Sequence, residues 1–314
     1  SGPMRIGVDT GGTFTDVVAE DGSVAKLPST PADPGEAVRA GAAAVLPPGQ
    51  VRPAVLAHGT TVATNALLER RGARVALVAN EGFADVIEIA RQDRPSLYDL
   101  WADRPAPLVA REDRFEVRGR LAPDGSELEP VDVDAIPELP EGVDAVAVCL
   151  LHADLDPRHE RAVGDALARR GLDVSSSIDV SPQFREYERT VTTVANAYLR
   201  PTCRAYLAGL ADAADEVLVM TSAAGLVPVE RGAELPVSLL LSGPAGGVLA
   251  AAAAAEAAGF EDVVTFDMGG TSTDVCLVQG GIPAPAGERS VGGFPIRMPS
   301  LDVHTIGAGG GSIA

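Results

Sequence analysis

The pattern of apolar and polar residues near the start of the chain predicts two strands joined by a glycine-rich turn. Arg5 to Asp9 and Thr15 to Ala19 are both rich in β-branched residues, and Gly11 and Gly12 lie between them. Short β-branched runs on either side of a glycine turn are typical of a β-hairpin. Arg5 to Ala19 is therefore expected to form a hairpin whose turn can accept a phosphate.

After this hairpin, strand-like and helix-like patterns alternate along the chain. Strands are predicted at Val55 to Ala57, Arg74 to Ala79, Val143 to Leu151, Glu216 to Thr221 and, as a strand end, Leu239 to Leu241. Helices are predicted at Thr60 to Gly72, His159 to Arg170, Thr190 to Leu210 with a kink or break at Pro201, and Val248 to Ala258. Pro95 to Pro140 is rich in Pro, Asp and Arg and predicts loops and short hairpins. The alternation predicts an α/β protein with mixed sheets, and we place a boundary between a first domain, residues 4–182, and a second, residues 183–314.

Composition and charge exclude several classes of protein. The 314 residues are 46% hydrophobic and 22% charged, which is typical of a soluble globular protein. The formal net charge of -19 argues against a nucleic acid or an anionic membrane as partner. The longest apolar run, Val248 to Ala255, is shorter than the ~20 residues of a membrane span. Cys149, Cys203 and Cys276 lie far apart in apolar surroundings, which predicts buried thiols and a cytoplasmic protein.

A near-duplication within the chain indicates the chemistry: VDTGGTFTDVV begins at Val8 and FDMGGTSTDVC begins at Phe266. Glycines that adopt positive φ can bring successive backbone N–H groups toward one point, which is how backbone nests bind anions. Asp9 and Asp267 end the first strand of each copy, where they would repel a phosphate unless a divalent cation lay between. One copy alone would predict only a tight hairpin, whereas two predict a two-lobed phosphate clamp with a magnesium ion.

Two further glycine-rich segments are candidates for contact with a nucleotide. Gly307, Gly309 and Gly310 follow an apolar run and, placed after the second hairpin, predict a turn against which a nucleoside can lie. Ser242 to Gly247 precedes an Ala-rich helix. This segment either presents a helix N-terminus to phosphate or allows close packing of a helix of small residues, and the sequence leaves both interpretations open.

Together these motifs resemble the superfamily of actin, the sugar kinases and Hsp70. Longer strings narrow the resemblance to the ATP-binding subunit of the hydantoinases and 5-oxoprolinases. The strings are HGTTVATNALLERRGARVALV from His58, EGFADVIEIARQDRP from Glu81, REYERTVTTVANAYLRP from Arg185, LLSGPAGGV from Leu240 and VHTIGAGGGSIA from Val303. The resemblance implies a two-lobed actin-like ATPase fold of the ribonuclease H type. Because subunits of that family continue for several hundred residues more, it also implies that the second lobe is incomplete in this chain.

The resemblance further implies a function. The chain is expected to be the component of an ATP-dependent hydrolase that phosphorylates the carbonyl oxygen of a cyclic amide (a lactam, a hydantoin or oxoproline) before ring opening. ATP and Mg²⁺ would be its cofactors, and a hydantoinase B-type partner subunit and an oligomeric assembly are implied. Two alternatives stay open: the ATPase subunit of an acetone- or acetophenone-type ketone carboxylase, and a non-catalytic actin-like scaffold that binds nucleotide.

The resemblance also implies roles for individual residues. Asp9 and Asp267 would bind magnesium and, with His58, form the catalytic set, although a lone His such as His58 is more often structural than catalytic. Asp16 and Asp274 would brace the two hairpins. The full set of predicted nucleotide-binding residues is Gly11, Gly12, Thr13, Thr15, Asp16, Gly269, Gly270, Thr271, Ser272, Asp274, Gly307, Gly309 and Gly310. The predicted substrate residues are Thr60, Thr61, Asn65, Arg91 and Arg94.

Three departures from the family pattern fall outside the hairpins. Ile178 stands where relatives carry a His, Ala153 and Asp154 stand where they carry Ser and an aromatic residue, and Ala223 and Ala224 replace Asn-Gly. The phosphate hairpins are untouched by these changes. Because these changes can alter the substrate pocket, the sequence leaves the identity of the substrate open.

Overall fold

The computed structural model describes residues 4–30, 32–269 and 272–312, and these form two compact units. Unit 1 takes the described residues of Ser1–Thr64, Cys203–Gly287 and Pro299–Ala314, and unit 2 takes those of Asn65–Thr202 and Glu288–Met298. Both glycine-rich hairpins lie in unit 1. The expected boundary at residues 182 and 183 coincides with none of the points where the chain changes unit. The unit to which a residue belongs depends on which strands pair, and composition along the chain does not show strand pairing.

The secondary structure is mixed. The strands are β1 Arg5–Thr10, β2 Phe14–Ala19, β3 Val24–Pro28, β4 Val55–Thr60, β5 Val75–Asn80, β6 Arg114–Val117, β7 Arg120–Leu121, β8 Glu127–Glu129, β9 Ala145–Val148, β10 Asp173–Ser176, β11 Glu216–Met220, β12 Leu226–Pro228, β13 Val263–Met268, β14 Thr273–Gln279, β15 Ile282–Pro283, β16 Pro285–Ala286, β17 Arg289–Val291, β18 Phe294–Ile296, β19 Ser300–Leu301 and β20 Val303–Ile306. The helices are α1 Pro34–Val45, α2 Val62–Leu68, α3 Val86–Ile89, α4 Arg158–Arg169, α5 Ser177–Val180, α6 Glu186–Ala208, α7 Val229–Glu234 and α8 Ser242–Ala257, with short 3-10 helices at Arg111–Asp113 and Pro236–Leu239.

The larger sheet of unit 1 follows the order β12-β11-β4-β1-β2-β3. β1 pairs antiparallel with β2 and parallel with β4, which brings the carboxyl ends of β1 and β4 to the same edge of the sheet. α1 packs against β2 so closely that a Cβ on Gly41 would lie 2.5 Å from Val17 Cγ2, so only glycine fits there. Asp9 therefore projects from a sheet whose other face is held by a tightly packed helix.

The second hairpin of unit 1 belongs to a smaller sheet, in the order β13-β14-β15 with β20 also paired to β14. One face of this sheet packs against α8. The buried residues of that contact are Ala245, Val248, Ala252, Cys276, Val278, Leu301 and Val303. The opposite face carries exposed large apolar side chains, namely Val264, Phe266, Met268, Leu277, Ile282 and Ile306.

Unit 2 is built on the sheet β10-β9-β5-β6, in which neighbouring strands are parallel. Every residue of β5 and β9 is buried, as expected for a parallel sheet that is covered on both faces. Its core contains Ala76, Val78, Val117, Ile136, Val146, Val148, Leu150, Val163 and Leu167.

The structure confirms the mixed α/β architecture and most of the predicted elements, with three corrections. The helix predicted from Val248 begins six residues earlier, at Ser242, because Pro244 lies within the first turn, where its missing N–H is no loss. The segment predicted to end a strand, Leu239 to Leu241, instead begins with the last residue of a 3-10 helix, Pro236–Leu239. α6 continues through Pro201 without a break. Among the described residues, no helix combines the length and apolar composition needed to cross a bilayer.

Candidate nucleotide-binding site

The two copies of the repeat are alike in hairpin geometry as well as in sequence. Across the paired strands, Asp9 faces Asp16 in the first hairpin and Asp267 faces Asp274 in the second. The turns are also closed alike. The N–H of Gly11 donates to the carbonyl oxygen of Phe14 at 2.9 Å, and the N–H of Gly269 donates to that of Ser272 at 2.9 Å. The internal repeat is therefore a repeated three-dimensional element.

Each hairpin has a third antiparallel strand that engages the second aspartate of the pair. In the first hairpin Lys26, on β3, lies 3.1 Å from Asp16. In the second, the Thr305 hydroxyl on β20 donates to Asp274 Oδ1 at 2.6 Å. These contacts support the expected bracing role of Asp16 and Asp274. Sequence analysis missed Lys26 and Thr305, because no local pattern shows which strand pairs with the hairpin.

Asp9 lies in a crowded position at the end of β1. A Cβ on Gly59, the neighbouring residue on β4, would lie 2.6 Å from Asp9 Oδ1, so the carboxylate occupies the space that a larger side chain would need. Although solvent reaches part of Asp9, the surrounding protein desolvates its carboxylate. This desolvation, together with the charges of Asp16 and Asp267, raises the pKa of Asp9. Burial thus contributes most to the raised pKa of Asp9, and repulsion by the two neighbouring carboxylates adds to it.

Helix α8 passes close to both Asp9 and Asp267. A Cβ on Gly243 would lie 3.9 Å from Asp9 Oδ1, and a Cβ on Gly247 would lie 3.6 Å from Asp267 Oδ2. Residues four apart lie on the same face of a helix, about 6 Å from each other along its axis. The two carboxylates therefore lie beside successive turns of α8, where the small residues of Ser242 to Gly247 allow close approach.

This pair of carboxylates fits a magnesium ion. Mg²⁺ keeps several waters and is usually bound through one or two carboxylates together with the oxygens of substrate phosphates. Across residues 4–30, 32–269 and 272–312, no cluster of three or more His, Cys, Asp or Glu side chains could form a protein cage for a metal. Two acidic groups without a third ligand suit a metal that is shared with a phosphate.

The turn of the first hairpin presents free backbone donors. The N–H groups of Gly12 and Thr13 donate no hydrogen bond to any residue in the described part of the chain. A Cβ on Gly12 would meet nothing within 4 Å, so the space above this turn is open. The expectation of positive φ was wrong for Gly11, Gly12 and Gly269, since all three have ordinary backbone angles. The glycines provide open space and close approach here. The predicted residues Gly270 and Thr271 lie outside the described residues.

The glycine cluster at the end of the chain lies against the second hairpin. The N–H of Gly310 donates to the carbonyl oxygen of Gly269 at 2.9 Å, and Thr273 Oγ1 donates to that of Ala308 at 2.7 Å. Space around Gly307 is open, because a Cβ there would meet nothing within 4 Å. The cluster thus lies beside the turn, as the sequence analysis expected, and its contact with a nucleoside stays a prediction.

His58 is fully buried beneath the first hairpin. Its Nδ1 donates to the carbonyl oxygen of Val8 at 3.1 Å, which leaves Nε2 to accept from the hydroxyl of Tyr206 at 2.6 Å. Burial lowers the pKa of His58 to about 4 and raises that of Tyr206 to about 12, so both side chains stay neutral near pH 7. With both ring nitrogens engaged, this environment favours the structural role that the sequence analysis left open.

The five predicted substrate residues are divided between the units. Thr60 ends β4 in unit 1 and Thr61 follows it, with Thr61 Oγ1 3.5 Å from the carbonyl oxygen of Thr10. Asn65, Arg91 and Arg94 belong to unit 2. Arg91 is committed to Glu188, donating to both carboxylate oxygens at 2.8 and 2.6 Å. The structure therefore does not gather the five residues within one unit.

Comparison with known proteins identifies relatives along the whole chain. The family model described as hydantoinase/oxoprolinase N-terminal region matches residues 5–171, and the model described as hydantoinase/oxoprolinase matches residues 189–314. The chain is 37% identical to the caprolactamase subunit alpha of Pseudomonas jessenii over 99% of its own length and 48% of that protein. It is 35% identical to 5-oxoprolinase 1 of Arabidopsis thaliana, over 99% of its own length and 28% of that protein.

A carboxylase subunit and a solved structure are also similar to the chain. The acetophenone carboxylase gamma subunit of Aromatoleum aromaticum is 30% identical over 98% of this chain and 47% of that protein. The crystal structure of the ATP-dependent caprolactamase from Pseudomonas jessenii superimposes with a TM-score of 0.86 at 33% identity, covering 99% of this chain and 49% of that one. The chain thus spans about half the length, or less, of the proteins that it matches.

Proposed function

The chain belongs to the hydantoinase/oxoprolinase family, and from that premise we propose that it forms the ATP-binding part of an ATP-dependent cyclic amide hydrolase. The observation that carries the proposal is the pair of carboxylates, Asp9 and Asp267, beside successive turns of α8. Next to Asp9, the free N–H groups of Gly12 and Thr13 supply donors for phosphate oxygens. We further propose that the units adopt the two-lobed actin-like arrangement.

In this proposal the residues of unit 1 hold and orient the triphosphate. Gly12 and Thr13 would donate backbone hydrogen bonds to phosphate oxygens, and the glycine cluster around Gly307 would lie against the nucleoside. Asp9 and Asp267 would bind Mg²⁺, which would offset the negative charge of the phosphates and the repulsion between carboxylates that, after desolvation, raises the pKa of Asp9. Asp16 and Asp274 would keep both turns in place through Lys26 and Thr305.

ATP would serve to activate an unreactive bond. An amide is a poor electrophile because resonance stabilises its carbonyl group and its nitrogen is a poor leaving group. In the proposed reaction the amide oxygen attacks the γ-phosphorus and displaces ADP. Water then adds to the activated carbon, the C–N bond breaks as nitrogen takes a proton, and hydrolysis of the resulting acyl phosphate releases phosphate and the open-chain amino acid.

We also propose that the chain works in the cytoplasm with a separate partner subunit, in an oligomer. The relatives whose names contain the word subunit, caprolactamase subunit alpha and acetophenone carboxylase gamma subunit, support the partner. The thiols of Cys149, Cys203 and Cys276 are buried and none of them belongs to a disulfide, which supports the reducing compartment.

The test is phosphate release from Mg-ATP by the protein together with its partner subunit. 5-Oxoproline, hydantoin and simple lactams would be compared with acetone or acetophenone plus bicarbonate. Stimulation by a cyclic amide, with formation of the ring-opened amino acid, is the expected result. Stimulation by ketone and bicarbonate alone would reject the hydrolase and establish the carboxylase, which similarity to the acetophenone carboxylase subunit makes the second candidate. Nucleotide binding without stimulation by any of these compounds would indicate a scaffold.

A further inference from the structure

Unit 2 contains a cavity of about 370 Å³ that none of the nucleotide-site residues line. Its walls come from α3, from the loop of residues 103–108, from α6 and from the turn between β17 and β18. α3 and α6 carry two of the sequence strings that resemble the hydantoinases, beginning at Glu81 and Arg185. Segments nearly 100 residues apart in the chain are thus brought together around one small space, at the lower end of the usual size range of ligand pockets.

The floor of the cavity is apolar. Ile87, Val191, Val194 and Phe294 line it, and each is at most 6% exposed. Tyr187, Val191 and Val194 are spaced four and three residues apart, so they share one face of α6. This floor suits the methylene groups of a small ring, because burying them removes apolar surface from water without leaving a polar group unpaired.

The walls are held in place before any ligand arrives. The bidentate pair between Arg91 and Glu188 ties the segment after α3 to α6. Gly292 and Gly293, with φ of +59° and +83°, form the turn between β17 and β18, and a Cβ on Gly293 would lie 2.5 Å from Pro105 Cγ. The turn therefore packs directly against the loop of residues 103–108, and glycine is required at Gly293 on both counts.

The Tyr187 hydroxyl is, among the described residues, an unpaired, uncharged hydrogen-bonding group at the cavity. The hydroxyl of Tyr187 makes no hydrogen bond with the described residues, whereas Arg104 donates to the carbonyl oxygen of Ile89 and Glu88 accepts from Arg114. Burial raises the pKa of Tyr187, so its hydroxyl stays protonated and can both donate and accept. A neutral amide, with one N–H and one carbonyl oxygen, needs such a partner.

The charges around the cavity favour a neutral ligand. Glu88 and Asp103 line it together with Arg104, and Asp93, Glu188 and Glu288 line the adjoining cavity that shares Tyr187 and Arg104. Arg114 and Arg91 are already paired with Glu88 and Glu188. The remaining carboxylates outnumber the remaining guanidinium group, so a ligand carboxylate would be repelled.

We propose that this cavity binds the ring of the cyclic amide substrate, with the methylene groups on the apolar floor and the amide at the Tyr187 hydroxyl, and that it prefers uncharged lactams to carboxylate-bearing rings. The proposal rests on the proposed function for the identity of the ligand. It assigns the choice of substrate to unit 2, while the phosphate-binding residues lie in unit 1.

The experiment compares the binding of caprolactam, 2-piperidone and 5-oxoproline to the full chain, by saturation-transfer NMR and titration calorimetry, with and without Mg-ATP. Ala106→Trp fills the cavity from an exposed position, and Ala110→Trp, at an exposed residue four positions later and outside the lining, is its matched control. We expect at least tenfold weaker lactam binding in Ala106→Trp, about fivefold weaker binding in Tyr187→Phe, and unchanged binding in Ala110→Trp. ATP affinity and the circular dichroism melting curve should be unchanged in all three.

The outcomes separate this proposal from the proposed function. Equal lactam affinity in Ala106→Trp and Ala110→Trp, or a preference for 5-oxoproline, would overturn the cavity proposal even if lactams stimulate ATP cleavage. Binding that Ala106→Trp removes, without any stimulation of ATP cleavage by lactams, would support the cavity and reject the hydrolase. If none of the three compounds binds to the unaltered chain, with or without Mg-ATP, the cavity is not a lactam site.

Discussion

The two glycine-rich hairpins of unit 1 share a turn but differ in what surrounds it. The first is flanked on its outer side by β4, with Gly59 against Asp9 and the buried His58 beneath. The second begins with β13, which forms the edge of its sheet among the described residues. The same motif therefore places one carboxylate in a crowded position and the other at the end of an edge strand. The repeat determines the chemical groups, and the surrounding sheet determines how tightly each is held.

The open faces of the hairpins also differ. On β1 the outward positions are Arg5, Gly7 and Asp9. On β13 two of the exposed side chains are Phe266 and Met268, both more than half exposed. Only the positions that form the turn and the aspartate pair are alike in the two hairpins, so similarity of function is expected at the turn and not along the strands.

The largest effect is expected from removing the two carboxylates one at a time. Asp9→Asn and Asp267→Asn should each lower Mg²⁺-dependent ATP cleavage by about 10²–10³-fold, the range for losing a preorganised electrostatic group at a reacting phosphate. Phosphate release at saturating Mg-ATP measures this, with Asp212→Asn, an exposed carboxylate outside the site, as control. Full activity in either variant would show that the two hairpins do not act as a pair.

An added methyl group should reduce ATP cleavage beside the crowded carboxylate, Asp9, and not beside Asp267. Gly59→Ala would place a Cβ 2.6 Å from Asp9 Oδ1 and force this carboxylate to move, whereas Gly247→Ala would lie 3.6 Å from Asp267 Oδ2, an ordinary contact. Displacement of a reacting group by about 1 Å can cost ~100-fold in rate. We expect that loss in ATP cleavage for Gly59→Ala and little change for Gly247→Ala. Equal activity of the two variants would contradict the crowding at Asp9.

Filling the first turn should weaken nucleotide binding without touching a carboxylate. Gly12→Val would occupy the open space above the free N–H groups and raise the Kd for Mg-ATP about tenfold, the scale of a lost hydrogen bond to a charged group. Gly7→Val is the matched control, because a Cβ at Gly7 also meets nothing within 4 Å. Calorimetric titration gives both constants. Unchanged affinity in Gly12→Val would exclude phosphate from this turn.

The buried His58, which has no counterpart in the second hairpin, should make stability depend on pH. Its pKa is about 4 in the folded chain and about 6.5 when unfolded, so the unfolded state binds the extra proton between these values. The contribution of His58 to the free energy of unfolding is therefore complete above about pH 6.5 and is lost as the pH falls toward 4. Urea unfolding of the unaltered chain and of His58→Gln should give a difference that is constant above pH 6.5 and shrinks below it. A difference independent of pH would contradict the buried neutral imidazole.

The smallest effect should distinguish the two bracing contacts. Lys26→Met removes an exposed ion pair to Asp16, and Thr305→Val removes a hydroxyl bond to Asp274. Each should lower the free energy of unfolding by no more than about 1 kcal/mol. Only the Lys26 effect should decrease between about 0.05 M and 0.5 M NaCl, because salt screens exposed charges. If the loss of unfolding free energy in Thr305→Val also decreased with salt, the contact of Thr305 with Asp274 would not be a hydrogen bond from an uncharged hydroxyl.

The predictions made from sequence were most accurate where the signal was local. The turn residues and β-branched runs of both hairpins lie within about a dozen residues, so their pairing followed from the motif, and the structure has both. The start of α8 was missed because Gly243, Pro244, Gly246 and Gly247 indicate a loop by composition. These residues nonetheless form the first turns of α8, where the small side chains allow the close approach of Asp9 and Asp267.

By itself the sequence determined the family, the mixed α/β class, the duplicated aspartate hairpins and the glycine cluster, because each depends on residue types at fixed short spacings. Tertiary structure alone decided which partners those residues meet. It buried His58 against Tyr206, 148 positions away, paired Lys26 and Thr305 with the bracing aspartates, divided the predicted substrate residues between two units, and gathered α3, α6 and two loops around one cavity. Strand pairing and helix packing bring together residues that are distant in the chain, and no local pattern of residues shows which distant residues will meet.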